Sequence, residues 1–292
     1  MYKRILVPLD GSQMAEMVLP YVTTISARFG AHVVFLHVCQ GAESSLFMCQ
    51  SYVRHIAETI GGRMGGKDIT ATGMAVTGNV ADQILHQATD TRSDLVIMAS
   101  HGQSGRGAWS LGSVAHKVVA ASCVPVLVVR DQLAAEASKW PRTVVVPLDG
   151  SALSEVALEH ARAMAQGGAD LNLLRVCEPP VVLADYPDAV MPDNWDEHLK
   201  LAERGAERAC KVYLDGLETR LKNDGLAAKT QVLLSSHVAD EISRFVNLDS
   251  TALVVMSTHG QSGLSLWPYG HVADRVLLAS KNPILLIRPP KA

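Results

Sequence analysis

The sequence ILVPLDGS at residues 5–12 returns as VVVPLDGS at residues 144–151, with six identical residues in a row from Val7 and from Val146. Three further segments recur in the same order: NVADQI at 79–84 as HVADEI at 237–242, HGQSG at 101–105 and again at 259–263, and SCVPVLVVR at 122–130 as SKNPILLIR at 280–288. A repeat of roughly 140 residues is the size of a domain and far exceeds a solenoid unit. We therefore predict one duplicated domain, with copies at 1–131 and 142–292 and a linker at 132–141.

Each copy alternates short apolar runs with segments of helical periodicity. The strands predicted in the first copy are 5–9, 32–38, 70–76, 95–99 and 126–129, and in the second 143–148, 171–176, 229–234, 253–257 and 284–287. Helices are predicted in the first copy at 14–28, within 44–61 up to Gly61-Gly62, at 80–89 and at 113–122. Alternating strands and helices favour right-handed crossovers and a parallel sheet covered on both faces. Each copy is therefore predicted to be an α/β, Rossmann-like domain with a five-stranded parallel sheet flanked by helices.

Composition excludes several classes of protein. The 292 residues carry a net charge of −3 without a long run of one sign, which argues against a nucleic-acid-binding surface. The chain starts directly in a predicted strand, and its apolar runs are shorter than the ~18 residues that a membrane helix needs. We expect a soluble, cytoplasmic protein. An odd number of cysteines without metal-ligand spacing predicts reduced thiols: Cys39, Cys49, Cys123, Cys177 and Cys210. Cys39 and Cys177 stand at matching places after a strand and are interpreted as small apolar core residues.

The second copy carries about 20 more residues than the first between its second and fourth strands. The extra segment is predicted at 178–197, is rich in proline and aspartate, and contains Tyr186 and Trp195. It is either an ordinary surface loop, or a lid or partner-docking arm.

Candidate ligand-binding residues follow the predicted strands of the first copy. Asp10, Val38 and the segment 99–102 lie at the carboxyl ends of three strands, where open α/β sheets bind ligands. A glycine-rich loop then leads into a helix at Gly112-Ser113, and free N–H groups at such a helix start favour phosphate. Ser113 could cap this helix and donate to a phosphate oxygen. Asp10 could accept from an adenine amino group or a ribose hydroxyl, or simply close its turn.

The loop matches neither common nucleotide motif. No Walker A sequence occurs, and GQSGRG at 102–107 has the wrong spacing for a Rossmann fingerprint and follows the fourth strand. The chain instead resembles the universal stress protein family, in its tandem form, over nearly all its length. That family is marked by V-P-x-D-G-S at the start, by H-G after the fourth strand, and by an ATP loop of the form G-x2-G-x9-G-[ST]. The first copy reads Ala99-x2-Gly102-x9-Gly112-Ser113 and the second Ser257-x2-Gly260-x9-Gly270-His271.

The resemblance implies the fold of the adenine nucleotide alpha hydrolases and an ATP site in the first domain. The site residues that it implies are Pro8, Leu9, Asp10, Val38, Met98, Ala99, Gly102, Gly112, Ser113 and Val114. Their counterparts in the second domain include Asp149, Val176, Gly260 and Gly270. ATP, ADP and AMP share the recognised parts, and Mg²⁺ would enter with the nucleotide. No metal site formed by the protein itself is predicted.

The second domain departs further from the family pattern. His271 is bulkier than serine and caps a helix poorly, and Pro268 stiffens the preceding loop, so weakened binding is expected there. A protonated His271 could instead hold a phosphate. The resemblance also implies pairing of the two domains through the fifth strand, about a pseudo-twofold axis, and a homodimer of the whole chain.

Three functions remain open. The first is an ATP-binding stress-response or signalling protein whose nucleotide sets its conformation or partner choice. The second is an interaction protein of the same fold without nucleotide, and the third is a slow ATP hydrolase. GxSxG is absent, no catalytic triad stands out, and Arg106 is the one cation near the first loop, so no catalytic residues are predicted. His101 and His259 are interpreted as loop histidines bonded to the backbone.

Overall fold

The computed structural model describes residues 1–40, 44–63, 70–102, 111–130, 141–180, 195–260 and 270–289. The first domain comprises β1 (Arg4–Pro8), α1 (Gln13–Glu16), α2 (Leu19–Phe29), β2 (His32–Cys39), α3 (Ser44–Arg63), β3 (Ala71–Thr77), α4 (Val80–Asp90), β4 (Leu95–Ala99), α5 (Ser113–Ala121) and β5 (Val126–Val129). The second comprises β6 (Thr143–Pro147), α6 (Ala152–Glu155), α7 (Ala157–Ala165), β7 (Asp170–Cys177), α8 (Trp195–Asn223), β8 (Ala228–Leu234), α9 (Val238–Val246), β9 (Ala252–Ser257), α10 (His271–Ala279) and β10 (Ile284–Ile287).

The ten strands of the described ranges form one sheet in the order β3-β2-β1-β4-β5-β10-β9-β6-β7-β8. Pairing is parallel within each domain and antiparallel at the seam, where Leu127 of β5 lies opposite Leu285 of β10. The predicted α/β fold and the pairing through the fifth strand are therefore confirmed. The predicted linker lies outside the described residues except for its last residue, so the domain boundaries stay a prediction.

The seam has approximate twofold symmetry in its side chains as well. Arg130, just after β5, donates from Nη1 to the carbonyl oxygen of Leu278 in α10 at 2.8 Å. Arg288, just after β10, donates in the same way to Ala120 in α5 at 3.2 Å. Each domain therefore donates an arginine hydrogen bond to a helix carbonyl oxygen of the other domain. The two bonds are related by the same approximate twofold axis as the strands.

The hydrophobic core forms one layer on each face of the sheet, and both layers continue across the seam. On one face α2, α3, α7 and α8 cover residues such as Ile97, Leu127 and Leu285. On the other face α4, α5, α9 and α10 cover residues such as Val96 and Val254. Strands buried on both faces explain the continuous apolar runs in the sequence. In the part of the chain that the structure describes, no helix combines the length and apolarity that crossing a membrane requires.

The predicted helix at 14–28 is instead two helices. Ser12 caps α1, its Oγ accepting from the amide of Ala15 at 3.1 Å. Pro20 lies in the first turn of α2, and because proline has no N–H it cannot continue the hydrogen bonding of α1. A second prediction was also wrong: Gly61 and Gly62 do not end α3 but lie inside it. Glycine costs a helix only about 1 kcal/mol, which packing of the other residues offsets.

The prediction of five reduced thiols was wrong for four of them. Cys39 forms a disulfide with Cys49, and Cys177 forms one with Cys210. Cys123 is free and exposed. The sequence concealed the pairs because no CxxC spacing occurs, and because a βα connection, not a short loop, brings each pair together. The match between Cys39 and Cys177 was visible in the sequence, but the longer connection in the second domain concealed that Cys49 and Cys210 also occupy equivalent positions.

A polar contact joins the two domains on the face of α2 and α7. The hydroxyl of Tyr2 and Nδ1 of His160 lie 2.7 Å apart, and their rings stack. Arg28 donates nearby to the carbonyl oxygen of Met164. Burial lowers the pKa of His160, against a smaller opposing effect of the Glu159 carboxylate. The histidine is therefore neutral in the folded chain near neutral pH.

This contact should make stability depend on pH. Because folding lowers the pKa of His160 below its usual 6.5, the unfolded chain binds the proton more readily. Stability present at neutral pH is therefore lost as the pH falls through that value. We expect the melting temperature to fall more between about pH 7.5 and 5.5 in the wild type than in His160→Gln. His32 and His259 are present in both proteins, so their protonation affects both melting curves equally and does not account for a difference between them. Parallel melting curves for the two proteins would contradict the prediction.

Candidate functional site

A cavity of about 510 Å³ opens at the carboxyl ends of β1, β2 and β4 in the first domain. This volume lies within the range typical of small-molecule sites. The structure brings all ten first-domain residues of the predicted site to its wall: Pro8, Leu9, Asp10, Val38, Met98, Ala99, Gly102, Gly112, Ser113 and Val114. Residues from separate parts of the chain thus surround a single space.

Asp10 joins the end of β1 to the loop after β4. Its Oδ1 accepts from the amide and the hydroxyl of Ser12, at 2.9 and 2.6 Å. The turn itself needs Gly11, whose φ is +81°. Its Oδ2 lies against Gly102, where a Cβ atom would come within 2.1 Å of that oxygen. Asp10 therefore closes its turn, the simpler of the two roles considered, and any contact of this carboxylate with a ligand stays a prediction.

Gly112 holds the start of α5 against the loop after β4. Its amide donates to the carbonyl oxygen of Ser100 at 2.9 Å. A Cβ atom here would lie 3.0 Å from that oxygen and 3.5 Å from the Cα of His101. The close approach brings residues 113–115 to the cavity wall, and amides in the first turn of a helix have no partner within the helix. The cavity therefore receives the positive end of a helix dipole.

The predicted helix cap is displaced by one residue. Gly112 is the N-cap of α5 and Ser113 is its first helical residue, exposed to solvent. In the second domain, Gly270 is likewise the N-cap and His271 the first residue of α10. The expectation that Ser113 caps the helix was therefore wrong. The expectation that His271 weakens the second site as a poor helix cap was also wrong, because His271 does not occupy the cap position. A glycine at this position lets the preceding loop approach more closely than a serine would.

Ala99 and Ser257, which replace the first glycine of the loop pattern, end the strands β4 and β9. Among the described residues, Arg92 is the one non-glycine residue with positive φ. The two substitutions therefore cause no backbone strain. Ser257 adds a local bond, since its hydroxyl donates to the carbonyl oxygen of His259 at 2.8 Å.

A polar group that was not predicted lies at the side of the first cavity. Nδ1 of His37, in β2, lies 2.8 Å from the carbonyl oxygen of Leu9. Its ring meets the ring of Tyr52 edge-on at 5.7 Å, and the Tyr52 hydroxyl donates to Oε1 of Glu16 at 2.9 Å. Burial, with the adjacent Glu16 carboxylate, raises the pKa of Tyr52, which keeps this hydroxyl a donor. A histidine inside an otherwise apolar strand was the available signal.

The second domain repeats this architecture around a cavity of about 550 Å³. Asp149, Val176, Gly260 and Gly270, the four residues predicted there, all line it. Asp149 Oδ1 accepts from the amide and hydroxyl of Ser151 at 2.9 and 2.6 Å. A Cβ atom on Gly260 would lie 2.0 Å from Asp149 Oδ2, and one on Gly270 would lie 3.0 Å from the Thr258 carbonyl oxygen. The backbone geometry is therefore duplicated almost atom for atom.

The second cavity differs in its side chains. Arg175 takes the place of His37, and its guanidinium lies 4.9 Å from the centre of the Tyr213 ring. The same group covers the turn after β6, where a Cβ on Gly150 would lie 2.4 Å from Nη1 of Arg175. Glu178 and His271 also line this cavity, where the first has Gln40 and Ser113. The two cavities thus share a shape but not a chemistry.

Each loop histidine lies within hydrogen-bond distance of the side-chain hydroxyl of the residue before it, a contact that was not predicted. Nδ1 of His101 lies 3.1 Å from Oγ of Ser100, and Nδ1 of His259 lies 3.0 Å from Oγ1 of Thr258. Burial is the larger cause that lowers the pKa of His259, and the positive charge of Arg288 is the smaller one. Near neutral pH the His259 imidazole is therefore uncharged.

Few charged groups that could assist catalysis lie in the described wall of the first cavity. No lysine or arginine lies among the described residues of the first cavity wall. Groups of three or more His, Cys, Asp or Glu side chains that could hold a metal ion are absent from the described ranges. Arg106 and Pro268, and most of the segment 178–197, lie outside those ranges.

Comparison with known proteins identifies the family that has this architecture. The model of the universal stress protein family matches residues 1–130 and again residues 141–288. The chain belongs to this family. A universal stress protein of Mycolicibacterium smegmatis is 28% identical over 199 residues, which are 68% of this chain and 62% of that protein. Universal stress protein YxiE of Bacillus subtilis is 29% identical over 148 residues, 44% of this chain and the whole of YxiE.

A solved universal stress protein of Archaeoglobus fulgidus shows the same tandem fold. Its sequence is 17% identical, and the alignment covers 99% of this chain and 97% of that protein. The TM-score is 0.67. At this identity the likeness concerns the fold.

Proposed function

We propose that this universal stress protein binds an adenine nucleotide, ATP, ADP or AMP, in the cavity of its first domain. The observation that carries the proposal is the convergence of ten residues from separate strands and loops on one cavity, with the start of α5 pointing into it. A bound nucleotide can shift a protein between conformations and thereby change which partners it binds. On this basis we propose a role in stress response or signalling.

The two ends of the cavity suit the two ends of a nucleotide. The amides at 113–115, the hydroxyl of Ser113 and the dipole of α5 favour phosphate at one end. At the other end, Val38 offers an apolar strand terminus, and Asp10 offers a carboxylate for a ribose hydroxyl or an adenine amino group. Because the described wall has no lysine or arginine, a triphosphate would depend on backbone amides and on the Mg²⁺ that accompanies it.

Binding without rapid turnover fits this wall better than catalysis does. Phosphoryl transfer needs cations at the developing charge and a residue that positions the attacking water. Three groups of the described wall could position water, and each has a structural contact. Nδ1 of His37 lies against the Leu9 carbonyl oxygen, Nδ1 of His101 against Oγ of Ser100, and Oδ1 of Asp10 closes a turn. We therefore propose a nucleotide-dependent switch and not a hydrolase.

The second domain is proposed to bind this nucleotide weakly or not at all. Arg175 lies over Gly150, on the turn that also holds Asp149, and so covers the surface that is open beside Asp10 in the first domain. His271 adds bulk at the first residue of α10. One nucleotide per chain is the expected stoichiometry. The homodimer and the cytoplasmic location stay predictions.

Calorimetric titration tests the proposal. ATP, ADP and AMP are titrated into the full chain with and without Mg²⁺, and cAMP, with which another universal stress protein has been solved, is added to the set of probes. We expect one site per chain for at least one of them, and a rise in melting temperature that grows with ligand concentration. Absence of both signals for every probe at millimolar concentration would favour the interaction protein without nucleotide.

A further inference from the structure

We propose that the Cys39–Cys49 disulfide is a site of thiol–disulfide exchange, and that its opening releases the start of α3 from the wall of the first cavity. Cys39 is the last residue of β2, directly after Val38, and Cys49 lies in the second turn of α3. Both cysteines line the cavity. The bridge thus ties the helix that forms one wall to the strand that forms another.

The same arrangement occurs in the second domain although the intervening chain differs. Cys177 ends β7, and it bonds Cys210 of α8 across 33 residues, against 10 in the first domain. Three residues after each helix cysteine stands a tyrosine, Tyr52 or Tyr213, that donates to a glutamate at the start of its domain. The pair is therefore a built element of the cavity wall in both copies, and not a chance approach of two thiols.

Contacts on either side of Cys49 differ in strength. Beyond it, Gln50 donates to the carbonyl oxygen of Gly73 and accepts from the amide of Ala75, both at 2.9 Å, and Tyr52 holds Glu16. Before it, Phe47 and Met48 are exposed at 76% and 69%. Reduction should therefore free the first turns of α3 and leave the rest of the helix in place, a local opening and not unfolding.

Thiol access distinguishes the two bridges. In the first bridge Cys39 is buried at 3%, but Cys49 is half-buried at the cavity wall and offers its sulfur to an attacking thiolate. Both cysteines of the second bridge, Cys177 and Cys210, are buried at 4% and 6%. An external dithiol, small or proteinaceous, would attack the first bridge through one thiolate, form a mixed disulfide and release one cysteine as thiolate. Its second thiol then displaces the other cysteine. Two electrons reach Cys39 and Cys49, which take up protons, and the dithiol leaves as a disulfide.

The consequence for the ligand rests on the proposed function. Because Ser45, Met48 and Cys49 line the cavity, a bridge that holds them pre-organises the wall for the nucleotide. Oxidised protein should then bind more tightly than reduced protein. By linkage the nucleotide must protect the bridge from reduction by the same factor, about tenfold if the coupling is of ordinary size.

The experiment equilibrates the full chain in mixtures of oxidised and reduced dithiothreitol, with and without ATP. Thiols are trapped by alkylation and assigned by peptide mass, and Cys123, free in every state, calibrates the labelling. We expect Cys39–Cys49 to open before Cys177–Cys210, and ATP to raise the reductant ratio needed for the first bridge about tenfold while leaving the second unchanged. A Cys39→Ser/Cys49→Ser protein should bind ATP about tenfold more weakly, and its control, Cys177→Ser/Cys210→Ser, should bind normally.

Hydrogen exchange separates this proposal from the proposed function. Reduction should speed amide exchange at 45–49 and leave 53–60 protected, whether or not any nucleotide binds. If no probe binds, the proposed function fails while faster exchange at 45–49 still supports the exchange site. Unchanged exchange at 45–49, a bridge that opens only with global unfolding, or equal ATP affinity in oxidised and reduced protein would overturn the inference.

Discussion

Gly112→Val is expected to abolish nucleotide retention, with affinity reduced by about 100-fold or more. The Cβ atom alone would lie 3.0 Å from the carbonyl oxygen of Ser100, and the γ carbons of valine would need further space. Relief of this contact moves the start of α5 away from the loop after β4, and with it the amides at 113–115. Losing one or two hydrogen bonds to a charged phosphate costs about 1.5–3 kcal/mol each, which corresponds to the stated loss.

A matched control exists in the second domain. Gly270→Val creates the same 3.0 Å contact, there with the Thr258 carbonyl oxygen, at a cavity proposed to be without nucleotide. The two variants should lose similar stability, measured by thermal unfolding without ligand, while only Gly112→Val loses binding. Equal loss of binding in both variants, or normal binding in Gly112→Val, would place the nucleotide elsewhere.

Leu127→Ala should lower the free energy of unfolding by about 2–5 kcal/mol, the cost of truncating a buried leucine. Leu127 is inaccessible to solvent in β5 and lies opposite Leu285 across the seam between the domains. The expected loss is measured by denaturant unfolding. The midpoint should fall with the slope unchanged if the two domains still unfold together.

Double mutants show whether the seam couples the domains. Leu127→Ala with Leu285→Ala should be non-additive, because the two side chains face the same space. Leu127→Ala with Ile84→Ala should be additive within about 0.5 kcal/mol, because Ile84 lies in the core layer on the opposite face of the sheet. Additivity in the first pair would mean that the seam contributes no coupling.

Much of the fold could be predicted from the sequence because its signals are local and repeated. Apolar runs marked most strands, and weak alternation marked the third, each to within one or two residues. The matched order of segments revealed the duplication. The break between α1 and α2 was missed because Pro20 follows three residues that continue the apolar period. Gly61 and Gly62 were misjudged because the packing of α3 outweighs their low helix propensity.

The site was predictable in its backbone and less so in its side chains. Glycine spacing located the close approaches at Gly102 and Gly112, where an added Cβ would lie 2.1 Å from the Asp10 carboxylate and 3.0 Å from the Ser100 carbonyl oxygen. The Cys39–Cys49 bridge and the contact between His37 and Tyr52 each join a strand to a helix, which no linear pattern reveals. Arg175 was overlooked because it stands in a strand, and its effect depends on the distant Gly150 and Tyr213.

The most direct test of the central claim is the identity and amount of nucleotide released when the purified full chain is denatured. Chromatography and mass should identify one adenine nucleotide per chain, and the Gly112→Val protein should release none. Two nucleotides per chain would contradict the proposed difference between the domains. No nucleotide, together with no rise in melting temperature at millimolar ATP, would contradict the proposed function itself.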